Sequence, residues 1–307
     1  MSTMVKQNLL KGRVKRRSSI SRSHIPYVAP AMAIMIMLTG LPIIAVLALS
    51  FTNYELAIPL GQLRWIGLRN YERLFFGHNR VFYYSIAISI GMMVVATAFQ
   101  MVLGFAAASL LNQNIRFKAL VVACLIVPIA ITPSIASQIW KLMLNAEFGV
   151  INFLLDRFFG TTVVWLGPDH AMLSVFIVNI WIMTPFVTLI LYGGLTSLPL
   201  EPFESADIDG ANAVQKLFRI TLPMLKPLIL LTILFRSIDM LRMFDIPFVL
   251  THGGPGNITE FIGVHIWRIG FGVNSRIGQA SAVSVVLLII VSVISLVLIK
   301  LMGRKED

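Results

Sequence analysis

Residues 201–223 read EPFESADIDGANAVQKLFRITLP, a polar segment between two long apolar runs. Its acids come first and its bases last, which is the order that a helix dipole favours: Glu201, Glu204, Asp207 and Asp209, then Lys216 and Arg219. Apolar or small residues recur every three or four positions and form a stripe along a helix: Phe203, Ala206, Gly210, Val214 and Leu217. Gly210 weakens a single helix and predicts a bend between two short ones. Pro223 is expected to close the segment before the next run.

Outward from this segment, the chain is dominated by apolar runs. Of its 307 residues, 57% are hydrophobic and 13% are charged, whereas soluble domains are about 25% charged. A transmembrane helix needs about 20 mostly apolar residues. Six runs satisfy this length, at roughly 27–50, 82–111, 119–144, 171–193, 225–250 and 278–302. The sequence therefore predicts an all-α membrane protein, with a six-helix transmembrane domain at 27–302 and tails at 1–26 and 303–307.

The net charge of +11 is better explained by membrane topology than by nucleic-acid binding. With the N-terminus in the cytoplasm, 15 Lys and Arg residues lie on the cytoplasmic side and 8 lie outside. Cytoplasmic loops of membrane proteins carry such an excess of bases. We expect both termini and the loop 194–224 to be cytoplasmic in a multi-pass protein of the plasma (inner) membrane. Its surroundings are lipid, and no nucleic-acid partner is predicted.

Several catalytic and metal-binding classes lack their motifs in this sequence. The single cysteine, Cys124, excludes an intrachain disulfide and a cysteine-based zinc cluster. The five histidines lack metal-ligand spacing, so no metal site is expected. There is no G-x-x-x-x-G-K-[ST] phosphate loop and no G-x-S-x-G elbow. The chain is predicted to be a non-catalytic subunit with no cofactor of its own.

The loop between runs four and five resembles a known family motif. Glu204-Ser205-Ala206, then Gly210, Ile220 and Leu222-Pro223, is similar in order and spacing to the "EAA" loop of binding-protein-dependent ABC-transporter permeases. It departs from that pattern by Ser205 in place of the first alanine. The resemblance implies a coupling helix that sits in a cleft of a cytoplasmic ATPase. The implied coupling residues are Glu204, Ser205, Ala206, Asp209, Gly210, Ile220, Leu222 and Pro223.

Two further motifs are similar to the carbohydrate-uptake branch of this family, which includes maltose-, trehalose- and glycerol-phosphate-type permeases. Residues 248–260, FVLTHGGPGNITE, resemble its extracytoplasmic "LTxGGP" turn, and 65–71, WIGLRNY, resemble its "F-x-G-L-x-N-Y" segment. The resemblance implies the ABC importer type I permease fold. It also implies a second homologous permease, a dimer of ATPase subunits that use ATP, an extracytoplasmic solute-binding protein and a carbohydrate substrate. Docking of the binding protein is assigned to Gly253, Gly254 and Pro255.

Polar residues within the apolar runs are candidates for the substrate site, because they are costly in a membrane. The segment Asn179-Ile-Trp-Ile-Met-Thr-Pro-Phe186 resembles a sugar-contacting motif of maltose-type permeases. That resemblance assigns substrate contacts to Asn179, Ile182, Met183 and Phe186. Asn179 could equally hydrogen-bond a neighbouring helix. Phe186 stands where the maltose type has a tyrosine, so it can stack on a sugar but cannot hydrogen-bond to it.

Run five carries four charges of alternating sign, three residues apart: Arg236, Asp239, Arg242 and Asp245. Neighbours at this spacing can pair along a helix, so the charges can sum to zero in the bilayer. Met240 and Met243 share the face of Arg236, and the corresponding positions of maltose-type permeases line the sugar site. Arg236, Asp239, Met240 and Met243 are therefore further substrate candidates. A purely structural ion ladder is the open alternative.

Two other functions compete with the ABC permease. An ion-coupled secondary transporter would need inverted repeats with matched broken helices, which the sequence does not show. An intramembrane enzyme would need a catalytic pair, and none is found. Disaccharides, trisaccharides, polyols and glycerol-phosphate all remain compatible with the motifs as substrates, although Phe186 argues against maltose itself.

Overall fold

The computed structural model describes residues 25–56, 59–77, 79–273 and 275–303, and most of them are helical. An isolated antiparallel bridge joins Thr52 to Trp65. Residues 1–24 and 304–307, which make up most of the two predicted tails, lie outside the described residues. The predicted domain boundaries therefore remain predictions.

The chain divides into two compact units, one up to Val46 and one from Leu47 onward. Helix α1, Ile25–Met35, continues through a π-helical turn at Ile36–Gly40 into α2, Leu41–Leu49. The helical stretch Tyr27–Leu49 is long and apolar enough to cross a membrane. Its large apolar side chains, such as Leu38, are exposed. Such a surface suits contact with lipid rather than with water.

The second unit contains the other apolar helices and several short ones. In chain order, its helices are α3 (Arg69–Phe75), α4 (Arg80–Leu111), α5 (Lys118–Ala130), α6 (Pro133–Met143), α7 (Val150–Phe159), α8 (Ala171–Thr196), α9 (Glu201–Ile208), α10 (Ala213–Lys216), α11 (Leu222–Leu241), α12 (Asp245–Thr251), α13 (Ile262–Phe271) and α14 (Ile277–Gly303). The helices α4, α8 and α14 are each long and apolar enough to span a membrane, which confirms three of the predicted runs.

The third predicted run, in which Pro128 and Pro133 predict a break, is divided into two helices. The axes of α5 and α6 meet at 97°. Thr132, between them, has an extended backbone because it precedes Pro133, and a residue before proline is disfavoured in the helical conformation. Neither helix alone has the length of a span, so together they form either one broken span or a re-entrant segment.

The fifth predicted run, 225–250, is wrong at both ends. Helix α11 ends at Leu241, and a separate short helix starts at Asp245. At the other end, the helical stretch reaches back through Pro223 to Ala213, so Pro223 does not close the segment as predicted. The π-helical turn Leu217–Thr221 leads directly into α11. Pro223 follows directly after this turn, in which the N–H of Leu222 donates to the carbonyl oxygen of Leu217, so the regular α-helical bond pattern is already interrupted where the proline lacks its N–H group.

The core lies where α4, α8, α11 and α12 meet, and the packing of α4 against α8 is its most extensive contact. Gly104 in α4 makes that contact close. A Cβ atom at this position would lie 2.6 Å from Val187 Cγ1 and 3.2 Å from the backbone nitrogen of Thr188. Because both neighbours belong to α8, a side chain at residue 104 would push the two helices apart.

Gly104→Ala is expected to lower the free energy of unfolding by about 1–3 kcal/mol, as overpacked cores do. The matched control is Gly91→Ala in the same helix, where a Cβ would meet no atom within 4 Å. That variant should be neutral or slightly stabilising, because alanine is the better helix former. The midpoint of thermal unfolding of each purified variant in detergent measures both effects. Equal midpoints for the two variants would contradict the close packing of α4 against α8 at Gly104.

Candidate functional site

Arg236 lies at the centre of the bundle, and its side chain is 1% exposed. Its Nε donates a hydrogen bond to Gln100 Oε1 at 2.9 Å, and its Nη2 donates to Asn179 Oδ1 at 3.4 Å. Gln100 Nε2 in turn donates to Asn179 Oδ1 at 2.8 Å. These three residues come from α11, α4 and α8. They therefore tie three membrane helices together around one buried cation.

Gln100 is fully buried, and the sequence analysis did not single it out. The sequence nevertheless contains a reason to select Gln100, because it is a lone amide inside an apolar run of about 30 residues. The argument that selected Asn179 applies equally to Gln100. Its partners are 79 and 136 residues away, so no local pattern indicates which residues it bonds to.

Asp239 completes this arrangement, which we call the Arg236 cluster: Gln100, Asn179, Arg236 and Asp239. Arg236 Nη1 donates to Asp239 Oδ2 one turn along α11, as the three-residue spacing predicted. The Asp239 side chain is 56% exposed, in contrast to the buried arginine. The cluster thus exposes the carboxylate of Asp239 at the protein surface and buries the guanidinium group of Arg236 that balances its charge. A carboxylate has several acceptor positions, so Asp239 can accept further hydrogen bonds while paired.

The other predicted substrate residues lie at different depths. Met243 is buried, and its sulfur lies 3.5 Å from Asn179 Nδ2. Ile182 and Met240 are about 1% exposed and belong to the core. Met183 is half-buried against that core, while Phe186 packs in a separate cluster with Val187 and Leu191. The structure therefore places Asn179, Arg236, Asp239 and Met243 together and sets Phe186 apart.

The predicted four-charge ladder does not continue along one helix. Arg242 is exposed and follows the last residue of α11, and Asp245 opens α12. Asp245 Oδ1 accepts a hydrogen bond from Ser134 Oγ in α6 at 2.6 Å. Lys141 Nζ from α6 donates to the carbonyl oxygen of Val249 in α12 at 2.9 Å. Of the second half of the ladder, Asp245 therefore joins α12 to α6, and one ion pair of the ladder, Arg236–Asp239, lies in α11.

The segment 201–223, which we call the coupling segment, begins with α9. Gly210 follows α9 and has a φ of +73°, so the predicted bend at this residue is confirmed. No atom lies within 4 Å of the position that a Cβ atom would occupy there. Glycine adopts this left-handed conformation without strain. Asn212 then caps α10 through a reciprocal pair of hydrogen bonds with Gln215. The result is two short helices that meet at a turn.

The coupling segment presents mixed chemistry at its surface. Glu204, Ser205 and Asp209 are exposed, whereas Asp207 pairs with Lys216 at 2.6 Å. Ile208 is 87% exposed. Of the remaining predicted coupling residues, Gly210 and Pro223 are exposed, and Ala206, Ile220 and Leu222 are half-buried. Acidic and apolar groups side by side suit a groove on a protein better than an anionic membrane surface.

Residues 252–260, which we call the glycine turn, lie beyond the far end of α11. The helical stretch Ala213–Leu241 has 29 residues and is about 43 Å long, enough to place the two segments at opposite membrane faces. Gly253 has a φ of +82°, and a Cβ there would lie 2.9 Å from Arg268 Nη2. Thr259 Oγ1 donates to the carbonyl oxygen of Gly254 at 2.9 Å and lies 2.6 Å from the hydroxyl of Thr251. These hydrogen bonds therefore fix the conformation of the glycine turn.

The family model described as "binding-protein-dependent transport system inner membrane component" matches residues 100–305. A probable ABC transporter permease of Sinorhizobium fredii is 36% identical over 287 residues, which cover 93% of this chain and 92% of that protein. The trehalose/maltose transport system permease of Thermococcus litoralis is 32% identical over 284 residues, covering 91% and 93%.

A bacterial ABC transporter involved in the import of alginate, an acidic polysaccharide, has the same fold. The superposition gives a TM-score of 0.79 at 22% identity and covers 94% of this chain and 98% of that chain. This likeness confirms the predicted permease fold. Taken together, the matched family model and the two relatives that are similar over nearly their whole length show that the chain belongs to the inner-membrane components of binding-protein-dependent ABC transport systems.

Proposed function

We propose that this chain is the permease subunit of an ATP-driven carbohydrate importer, in which it forms half of the translocation path. Relatives named for sugar transport support the substrate class. They are the Thermococcus litoralis trehalose/maltose permease and a trehalose transport system permease of Mycobacterium tuberculosis, which is 33% identical over 278 residues. The basic residues of the predicted cytoplasmic loops support an orientation with both termini inside.

The observation that carries this proposal is the exposed helix pair of the coupling segment. Helix α9 ends at the Gly210 bend and offers Glu204 beside exposed apolar groups such as Ile208. A cleft in a separate ATPase would bury those apolar groups and pair Glu204 with a base. The helical stretch from Ala213 to Leu241 then connects this contact directly to Arg236 and Asp239.

The Arg236 cluster is the proposed substrate contact. Sugar hydroxyls both donate and accept hydrogen bonds, so an exposed carboxylate such as Asp239 is a suitable partner. Because Arg236 neutralises that carboxylate, the site presents no net charge to a neutral solute. This chemistry favours an uncharged sugar or polyol over glycerol-phosphate. Met243, in the connection between α11 and α12, contacts the cluster through Asn179.

The ion-coupled secondary transporter finds no support among the relatives. Proton coupling would need a membrane carboxylate that is free to exchange its proton. Asp239 is instead paired with Arg236, and Asp245 accepts a hydrogen bond from Ser134.

The direct test is to co-express the chain with the products of its neighbouring genes and purify it from detergent-solubilised membranes. We expect an ATPase and a second permease to co-purify. Reconstituted in liposomes with the binding protein, the complex should take up labelled trehalose or maltose only when ATP is supplied. Uptake driven by an ion gradient without ATP, or the absence of any ATPase from the purified complex, would contradict the proposal.

A further inference from the structure

A cavity of about 450 Å³ lies beside the glycine turn, between the start of α4, helix α13 and the start of α14. Its polar lining comes from Asn79, Asn257, Glu260, His265, Arg268, Arg276 and Gln279. None of these residues belongs to the Arg236 cluster or to the coupling segment. The cavity is therefore a separate polar site at the opposite end of the bundle from the coupling segment.

The charges of this cavity are not balanced. Glu260 is fully buried, and Arg268 Nη1 and His265 Nδ1 both pair with it. Arg268 also donates to Asn257 and to the carbonyl oxygen of His252. Arg276 is exposed and forms no ion pair within the part of the chain that the structure describes. The two arginines of the described lining, Arg268 and Arg276, therefore outnumber its one carboxylate, Glu260.

One further feature favours an anion in the cavity. Helices α4 and α14 both begin at its wall, at Arg80 and Ile277, and the N-terminal end of a helix carries a partial positive charge. His265 is 5% exposed, and its Nδ1 lies 2.7 Å from Glu260 Oε1, so this ring and Arg268 hold the buried carboxylate. Arg276 is therefore the cation of the lining that an incoming anion would meet.

From these observations we propose that the cavity receives a carboxylate side chain of the solute-binding protein. This inference rests on the proposed function and adds the chemistry of one partner contact. The cavity adjoins the glycine turn, so a protein that docks on the turn would cover its opening. A side chain that projects from the docked protein would meet Arg276 first. The surplus positive charge of the lining selects an aspartate or glutamate over a neutral group.

The test uses the complete transporter in liposomes and the purified binding protein encoded next to this chain. Arg276→Glu is expected to raise the concentration of binding protein needed for half-maximal ATPase stimulation about tenfold, because reversed charges at an interface repel. Arg276→Lys should retain most of the affinity. The matched control is Arg157→Glu in α7, an exposed arginine on the same predicted side but outside the cavity. Its half-maximal concentration should equal that of the wild type.

A second experiment identifies the source of the carboxylate. Acidic residues of the binding protein are changed to arginine one at a time, and one of them should restore tight binding to Arg276→Glu. Equal affinities for Arg276→Glu and Arg157→Glu would overturn the inference. So would an Arg276→Glu defect that disappears when anionic lipids are removed, since this would identify a lipid headgroup as the occupant. A wild-type complex that no binding protein stimulates would instead contradict the proposed function itself.

Discussion

Glu204→Lys is expected to abolish uptake and to release the ATPase from the purified complex. Glu204 is exposed on α9, so the substitution leaves the fold of this chain unchanged. In the proposed contact, the new lysine would face the base that Glu204 pairs with. Disrupting a buried charge pair at an interface costs 2–5 kcal/mol or more, which corresponds to a loss of affinity of roughly 30- to several-thousand-fold.

Glu201→Lys is the matched control for this variant. Glu201 is an exposed acid in the same short helix, but it lies outside the residues that resemble the family motif. It should retain both the ATPase and most of the uptake. Co-purification on an affinity tag reports assembly, and uptake of labelled sugar reports function. If Glu204→Lys keeps a full complement of ATPase and transports normally, α9 is not the coupling helix.

Asp239→Asn is expected to lower uptake by at least tenfold. The substitution weakens the hydrogen bonds to substrate, because bonds to a charged group contribute about 1.5–3 kcal/mol each. It also leaves the buried Arg236 without its counter-ion, and a lone charge in the membrane is costly. Loss of uptake by this variant alone would therefore fit either a substrate site or a structural ion pair.

The double variant Arg236→Met with Asp239→Asn separates these two readings of the ion pair. It removes both charges together, so neither partner of the pair is left as an unpaired ion, and the bond between Gln100 and Asn179 is left in place. We expect assembly and thermal stability to recover while uptake stays low, because the carboxylate is missing. Recovery of uptake together with stability would show that the pair is structural. Size-exclusion chromatography reports assembly, thermal unfolding reports stability, and uptake of labelled sugar reports transport.

The long helices were predictable because the residues that determine them are neighbours in the sequence. A long apolar run favours a helix in lipid because the backbone groups must then bond within the segment, so α4, α8 and α14 followed from run length. The Gly210 bend and the pairing of Arg236 with Asp239 also depend on neighbours within a few residues. These features needed no knowledge of the rest of the fold.

The end of α11 and the role of Gln100 were not predictable in this way. No glycine or proline marks residues 242–244, so the sequence pattern predicts one run that continues to residue 250. Asp245 leaves that helix and bonds to Ser134, which lies 111 residues earlier in the chain. Gln100 likewise depends on partners in two distant helices. Contacts between remote segments decide these positions, and a single sequence does not show which segments meet.

The sharp break at Ile131–Thr132 also limits which face of the protein can touch hydrocarbon. Helix α5 has 13 residues and rises about 20 Å, so the break lies within a hydrocarbon layer of about 30 Å. Backbone groups outside a helix cannot be left against lipid tails at that depth, because nothing there accepts or donates a hydrogen bond. Thr132 is nevertheless exposed on this chain. In the assembled transporter, we expect water or a neighbouring subunit to cover the break, so that other helices form the lipid-facing perimeter.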